Sequence, residues 1–294
     1  MRNILLATIL LITANGCIKK EVDPVSFDIT TASATYNVGD SVTFTFSGNP
    51  DYILFYSGEN GHQYQFRNRV TAVGTPILNF LSYEQFGNHT NTLHLLVSND
   101  FNGKFDSADV KNATWTDITN RANLSTGLNN TASGNILLTD FISQDTPVYV
   151  AFKFADQKDG INAQRTWTIT QLSLINKLQD STSTTLLDIA NSAWLGVNIT
   201  NPAALWSIST TSLKIAGGAK TAPSSESWAV SQPINLTRVQ PDAGVSIKTL
   251  TDPALKSFSY VYTRPGNYTI VFAATNANVN RQTTATRTLK ITVQ

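Results

Sequence analysis

Apolar and polar side chains alternate one for one along much of this chain. Val42, Phe44 and Phe46 are interleaved with Thr43, Thr45 and Ser47, and Tyr268, Ile270 and Phe272 with Thr269, Val271 and Ala273. Leu289, Ile291 and Val293 alternate with Lys290 and Thr292. Successive side chains of a strand point to opposite faces, so a period of two gives one buried face and one wet face. The same residues on a helix would scatter their apolar groups around the axis. These runs end at Gly, Pro, Asn and Asp, which interrupt strand ladders. Helix-period patterning is nearly absent. One short helix is expected, with Ser107 capping Ala108-Asp109-Val110-Lys111. The predicted fold class is all-β, built from sandwiches.

Residues 24–70 hold about three strand patterns, too few to close a sandwich, and residues 255–294 hold the matching deficit. Asn37-Val38-Gly39-Asp40-Ser41-Val42-Thr43-Phe44 resembles the first half of a polycystic-kidney-disease-type (PKD), immunoglobulin-like domain. Phe258-Ser259-Tyr260-Val261-Tyr262, followed by Pro265-Gly266-Asn267-Tyr268-Thr269-Ile270, is similar to its second half. The expectation is one immunoglobulin/PKD-like sandwich split by an insertion over 75–250. Within the insertion, Leu93-His94-Leu95-Leu96-Val97, Ala113-Thr114-Trp115-Thr116, Val148-Tyr149-Val150-Ala151-Phe152 and Thr166-Trp167-Thr168-Ile169 follow in an order similar to cleaved-adhesin and choice-of-anchor jelly rolls.

The N-terminus gives an address. Arg2 opens a basic start, Ile4 to Ile12 is apolar, and Ala14-Asn15-Gly16-Cys17 resembles a lipobox. The apolar stretch is far short of the roughly 20 residues that span a bilayer. Residues 1–16 therefore read as an export signal, Cys17 as the acylated residue, and 17–23 as a tether. Cys17 is the single Cys of the 294 residues, which excludes internal disulfides and multi-Cys metal sites. The formal net charge is +1, and the surplus cation is Arg2. A mature chain of balanced charge offers no electrostatic case for nucleic acid.

Lipobox included, the chain resembles a family of uncharacterised Bacteroidetes surface lipoproteins. Their genes commonly accompany SusC/SusD-type glycan importers. The resemblance implies an outer-membrane, cell-surface lipoprotein in a glycan-utilisation setting, with no catalytic residue supplied.

Two groups of residues carry candidate chemistry. Ser98, Asp100, Asn102, Asp106 and Asp109 put oxygen side chains at positions 1, 3, 5, 9 and 12 of a stretch with Gly103 at position 6. That is the spacing of a calcium loop. The competing assignment is an Asn-Gly turn followed by a helix cap at Asp106 or Ser107. Calcium, if bound, would be structural, and no other cofactor is required. Among the five Trp, Trp115, Trp167 and Trp228 fall inside period-two runs and read as core. Trp194 and Trp206 lie in less regular, Asn- and Thr-rich surroundings. They are the candidates for stacking a sugar ring, with Asn198 and Asn201 as hydroxyl partners.

For an enzyme the sequence offers little. It has three His and no Gly-x-Ser-x-Gly elbow, His-Glu-x-x-His motif or phosphate-binding loop. Two functions compete: a non-catalytic glycan-binding lipoprotein, and a structural or adhesive surface protein with a protein partner.

Overall fold

The computed structural model of the chain describes residues 21–143 and 146–294. The leader 1–16 and Cys17 lie outside the described residues. In chain order the strands are β1 (Phe27–Thr31), β2 (Thr35–Tyr36), β3 (Ser41–Gly48), β4 (Tyr52–Tyr56), β5 (Thr75–Gln85), β6 (Leu93–Ser98), β7 (Thr116–Asp117), β8 (Thr131–Ala132), β9 (Ile136–Leu137) and β10 (Tyr149–Asp156). They continue as β11 (Thr166–Lys177), β12 (Ser183–Asp188), β13 (Trp194–Thr200), β14 (Trp206–Ile208), β15 (Ser212–Ile215), β16 (Ser225–Ser231), β17 (Val245–Lys248), β18 (Ser257–Val261), β19 (Gly266–Ala277) and β20 (Gln282–Val293). The α-helix α1 (Ser107–Asn112) lies between β6 and β7. The chain is an all-β sandwich protein.

The strands sort into two compact units. The first combines the segments that end at Tyr64 and begin at Ala243; the second is Gln65–Asp242. In the first unit, sheets β1-β3-β18 and β17-β4-β19-β20-β2 draw strands from both ends of the chain. Val42, Phe44 and Phe46 share their core with Ile270 and Phe272, and Tyr268 packs against it. Phe272 seals this core by ring contacts to Phe44, Phe46 and Phe55 at centroid distances of 5.1, 5.2 and 5.1 Å. β17 pairs with β4 and belongs here, although its sequence position falls in the 75–250 stretch. Its residues Val-Ser-Ile-Lys alternate over only four positions, and burial does not follow that alternation: Val245 and Ser246 are exposed, Ile247 packs against the core and Lys248 is buried.

The second unit stacks β13-β16-β10-β6-β7 on β14-β15-β11-β5-β8, with β12 beside β11 and β9 beside β5. β5 keeps strict alternation over its whole length. β6, β10 and β16 are instead buried on nearly every residue. Their outer face is covered by a second cluster in which Phe101 and Val110 pack on Leu96, Tyr149 and Trp228, with Trp115 against it. A sheet covered on both faces needs continuous apolar runs rather than alternation, and Leu95–Val97 and Val148–Phe152 are such runs.

Candidate functional site

The second unit carries a polar hollow of about 690 Å³ at one end of its sandwich. It is lined by residues 88–92 between β5 and β6, by Ala155, Asp156, Gln157 and Asp159 at the end of β10, and by Thr200, Ser224, Ser225 and Glu226. Strand register brings these segments together: Phe154 is opposite Leu93, and Asp156 is opposite Ser225. Every lining residue except Ala155 ends in a hydroxyl, amide, carboxyl or imidazole. A second hollow of about 340 Å³ shares residues 89–92 and adds Glu84, Arg165 and Trp167.

His89 organises this end. Its Nδ1 donates to the buried carboxylate of Asp156, and its Nε2 donates to Asp159 Oδ2 at 2.9 Å. Those hydrogen bonds, Asp159 first and Asp156 second, hold the His89 pKa above its ordinary value. His89, backbone N–H donors and the side chain of Asn162 together hold the Asp159 carboxyl far below the usual carboxylate range. Asp156 also accepts from the backbone N–H groups of Gln157 and Arg165, both at 2.7 Å. With both ring nitrogens committed as donors, His89 is a structural cation, poorly placed to act as a base.

Arg165 ties the same loop from below. Its guanidinium donates to the carbonyl oxygens of His89 and Phe86, each at 2.8 Å, and pairs with Glu84 at 3.2 Å. Burial pushes the Glu84 carboxyl up, and Arg165 opposes that shift. Phe86 and Gly87 both take left-handed backbone, at φ of 59°. Gly87 has no alternative, since a Cβ there would sit 2.1 Å from Ala163 O. The turn leaves the Phe86 ring 66% exposed, an aromatic face on the loop that lines the hollow. Thr90, Asn91, Gln157, Thr200 and Ser224 are exposed beside it.

The residues singled out from sequence have other roles. Trp194 and Trp206 are 5% and 7% exposed and belong to the main core of the second unit. No ring face is left for a sugar, so the stacking role assigned to them is corrected. Burying an aromatic of 150–250 Å² contributes up to about 4–6 kcal/mol at ~25 cal/mol per Å², a strong pull inward. Asn198 does not face solvent as a hydroxyl partner. Its Nδ2 donates to the carbonyl oxygens of Asn201 and Ala204, both at 2.9 Å, closing the turn between β13 and β14. Asn201 holds a left-handed φ of 55° and donates to Ser225 Oγ at 2.8 Å. These amides are local staples.

The calcium spacing is likewise spent on the chain's own donors. Ser98 Oγ donates to Asp100 Oδ1 at 2.8 Å, and Thr114 N–H donates to the same oxygen at 2.8 Å. Asn102 Nδ2 donates to Asp109 Oδ1 at 2.6 Å, while Asn102 Oδ1 accepts from Lys104 N–H. Asp106, rather than Ser107, caps α1, accepting from Ala108 and Asp109 N–H at 2.9 Å each. Among the described residues, no three His, Cys, Asp or Glu gather closely enough to hold a metal. Ser98, Asp100, Asn102, Asp106 and Asp109 therefore do not fit a calcium ion as they are arranged. A turn and a helix cap satisfy the same residue types.

Trp167 and Trp228 are core residues, and half-buried Trp115 donates from its indole N–H to Val110 O at 2.8 Å. No helix among the described residues is long and apolar enough to cross a membrane.

Two sandwiches, one interrupting the sequence of the other and carrying a polar hollow, define an all-β protein whose site is made for hydrogen bonding. The chain belongs to the family described as Domain of unknown function (DUF5017), whose model matches residues 16–194, more than half of the chain. Comparison with curated proteins and with solved structures returns no match.

Proposed function

We propose that this chain is a non-catalytic lipoprotein, anchored through Cys17 at the outer membrane and exposed at the cell surface, that binds glycan as an accessory to polysaccharide uptake. The observation that carries the reading is the hollow around His89. Most of its exposed groups are neutral hydroxyls and amides, from Thr90, Asn91, Gln157, Thr200 and Ser224, beside the carboxylates of Asp159 and Glu226 and with the Phe86 ring on the adjoining turn. A pyranose presents hydroxyls that both donate and accept, and C–H faces that pack on aromatic rings. The balanced charge of the mature chain suits a neutral polymer, which needs no electrostatic steering. The lipobox and the resemblance to Bacteroidetes surface lipoproteins support the address and a SusC/SusD-type importer as partner. A PKD-like first unit agrees with the tie from Tyr262 Oη to Ser57 O, which links the two sequence halves at 2.8 Å.

The test is affinity electrophoresis of the Cys17→Ala chain, purified without its leader, through gels containing a panel of neutral and acidic polysaccharides. At least one polysaccharide is expected to retard it, and Thr90→Ala combined with Gln157→Ala should weaken retardation several-fold with unchanged melting. No retardation on any polysaccharide would overturn the glycan reading in favour of a structural or adhesive protein.

A further inference from the structure

The entry of the chain into the first sandwich fixes more than its own conformation. Asp23 O accepts from Asn276 Nδ2 and from Thr283 Oγ1, each at 3.1 Å. These donors face each other across the β19–β20 hairpin, just before its turn. The base of that hairpin is pinned in turn by Asp51, whose Oδ2 accepts from Ala277 N–H at 2.9 Å and whose N–H donates to Asn276 Oδ1. The turn itself is closed by Asn278 Oδ1, which accepts from Asn280 and Arg281 N–H at 2.9 Å each.

Antiparallel register puts several loops at this same end of the unit. Phe27 is opposite Gly48, Tyr52 is opposite Thr275, and Lys248 is opposite Ile53. The chain entry, the β3–β4 turn, the turn after β17 and the β19–β20 tip therefore share one end. Two large apolar side chains stand out there: Val279 at the hairpin tip is 101% exposed, and Leu250 in the turn after β17 is 57% exposed. Lone exposed apolar residues are ordinary. Their position beside the tether is the informative part.

Cys17 precedes Asp23 by six residues, and six extended residues reach at most about 20 Å. The tip beyond Asn276 and Thr283 projects roughly 10 Å at ~3.3 Å per residue. We propose that the β19–β20 tip, with Val279 as its apolar point and Arg281 beside it, together with Leu250, is the surface this protein rests on the lipid bilayer. The inference rests on acylation of Cys17 as proposed above. Val279 and Leu250 enter the headgroup boundary while Arg281 stays among the phosphates, an arrangement suited to shallow contact. The acyl anchor supplies the attachment; the tip sets the orientation.

The experiment uses the full acylated chain carrying Val279→Cys, in which the new thiol is the only unmodified one, labelled with an environment-sensitive fluorophore. A Val38→Cys chain is the control, because Val38 precedes β3 and pairs its N–H with Gln294 O at the opposite end of the unit. Both are reconstituted into vesicles of phosphatidylethanolamine and phosphatidylglycerol containing a doxyl-labelled lipid. Quenching several-fold stronger at 279 than at 38 is the expected result. Equal quenching, or none at 279, overturns the orientation while leaving the anchor standing. An intact mass showing Cys17 unmodified overturns the address, and this inference with it.

Discussion

His89 links the hollow to pH through a single side chain. Its pKa is raised from 6.5 by Asp159 and Asp156, so its stabilising contribution is complete below 6.5 and is lost as pH rises through the higher folded value. Asp159 is lowered from 3.8, so its contribution is complete above 3.8 and is lost only as pH falls toward its folded value. Both contributions are full between those two ordinary values. Thermal melts are expected to show the second unit losing stability as pH rises above about 6.5, and His89→Gln should flatten that slope. An unchanged slope in His89→Gln would assign the pH dependence elsewhere. None of this was legible beforehand, because Asp156 and Asp159 lie more than sixty residues from His89 and long-range pairing, β6 with β10 and β5 with β11, unites them. Trp194 and Trp206 show the converse. The surrounding Asn and Thr resemble an exposed patch, but Asn198 and Asn201 are consumed by carbonyl and hydroxyl partners and the indoles turn inward.

At the scale of strands, alternation was a faithful guide wherever one face of a sheet meets solvent. β3 is buried at Val42, Phe44 and Phe46 and exposed between them. It was too short to read for β17 and β9, although Ile247 and Ile136 pack on their cores, and it was silent for the two-residue strands β7 and β8, which hold place through ladder bonds. The half-sandwich argument concerns strands that need partners. β3 lies between β1 and β18, and β4 lies between β17 and β19. Deleting residues 255–294 removes β18, β19 and β20, and with them Tyr262, Ile270, Phe272, Ile291 and Val293 from the first core. Each large core truncation alone costs about 2–5 kcal/mol, against a typical domain stability of about 5–15 kcal/mol. The shortened chain should therefore show rapid proteolysis across 24–64, with 65–242 still protected. Protection of 24–64 in that variant would mean the N-terminal strands form a core without their distant partners.

Across the whole molecule, the two units differ in what they ask of chain connectivity. The first needs both ends of the chain; the second contains its own neck. Asp242 N–H donates to Phe66 O at 3.2 Å, and Arg69 pairs with Asp242 at 3.2 Å. Above them, Val239 N–H donates to Val70 O at 3.0 Å and Ala72 N–H to Thr237 O at 2.8 Å. Cutting at 64/65 and 242/243 thus leaves a fragment whose ends are already clasped by its own hydrogen bonds, around a core running from Leu78 to Leu236. All residues lining the polar hollow fall between 88 and 226, inside that fragment. The fragment 65–242 is therefore expected to fold alone and to be retarded by the same polysaccharide, with the same dissociation constant, as the Cys17→Ala chain. A folded fragment that is not retarded, beside a full chain that is, would move the glycan site out of the His89 hollow and onto residues outside 65–242.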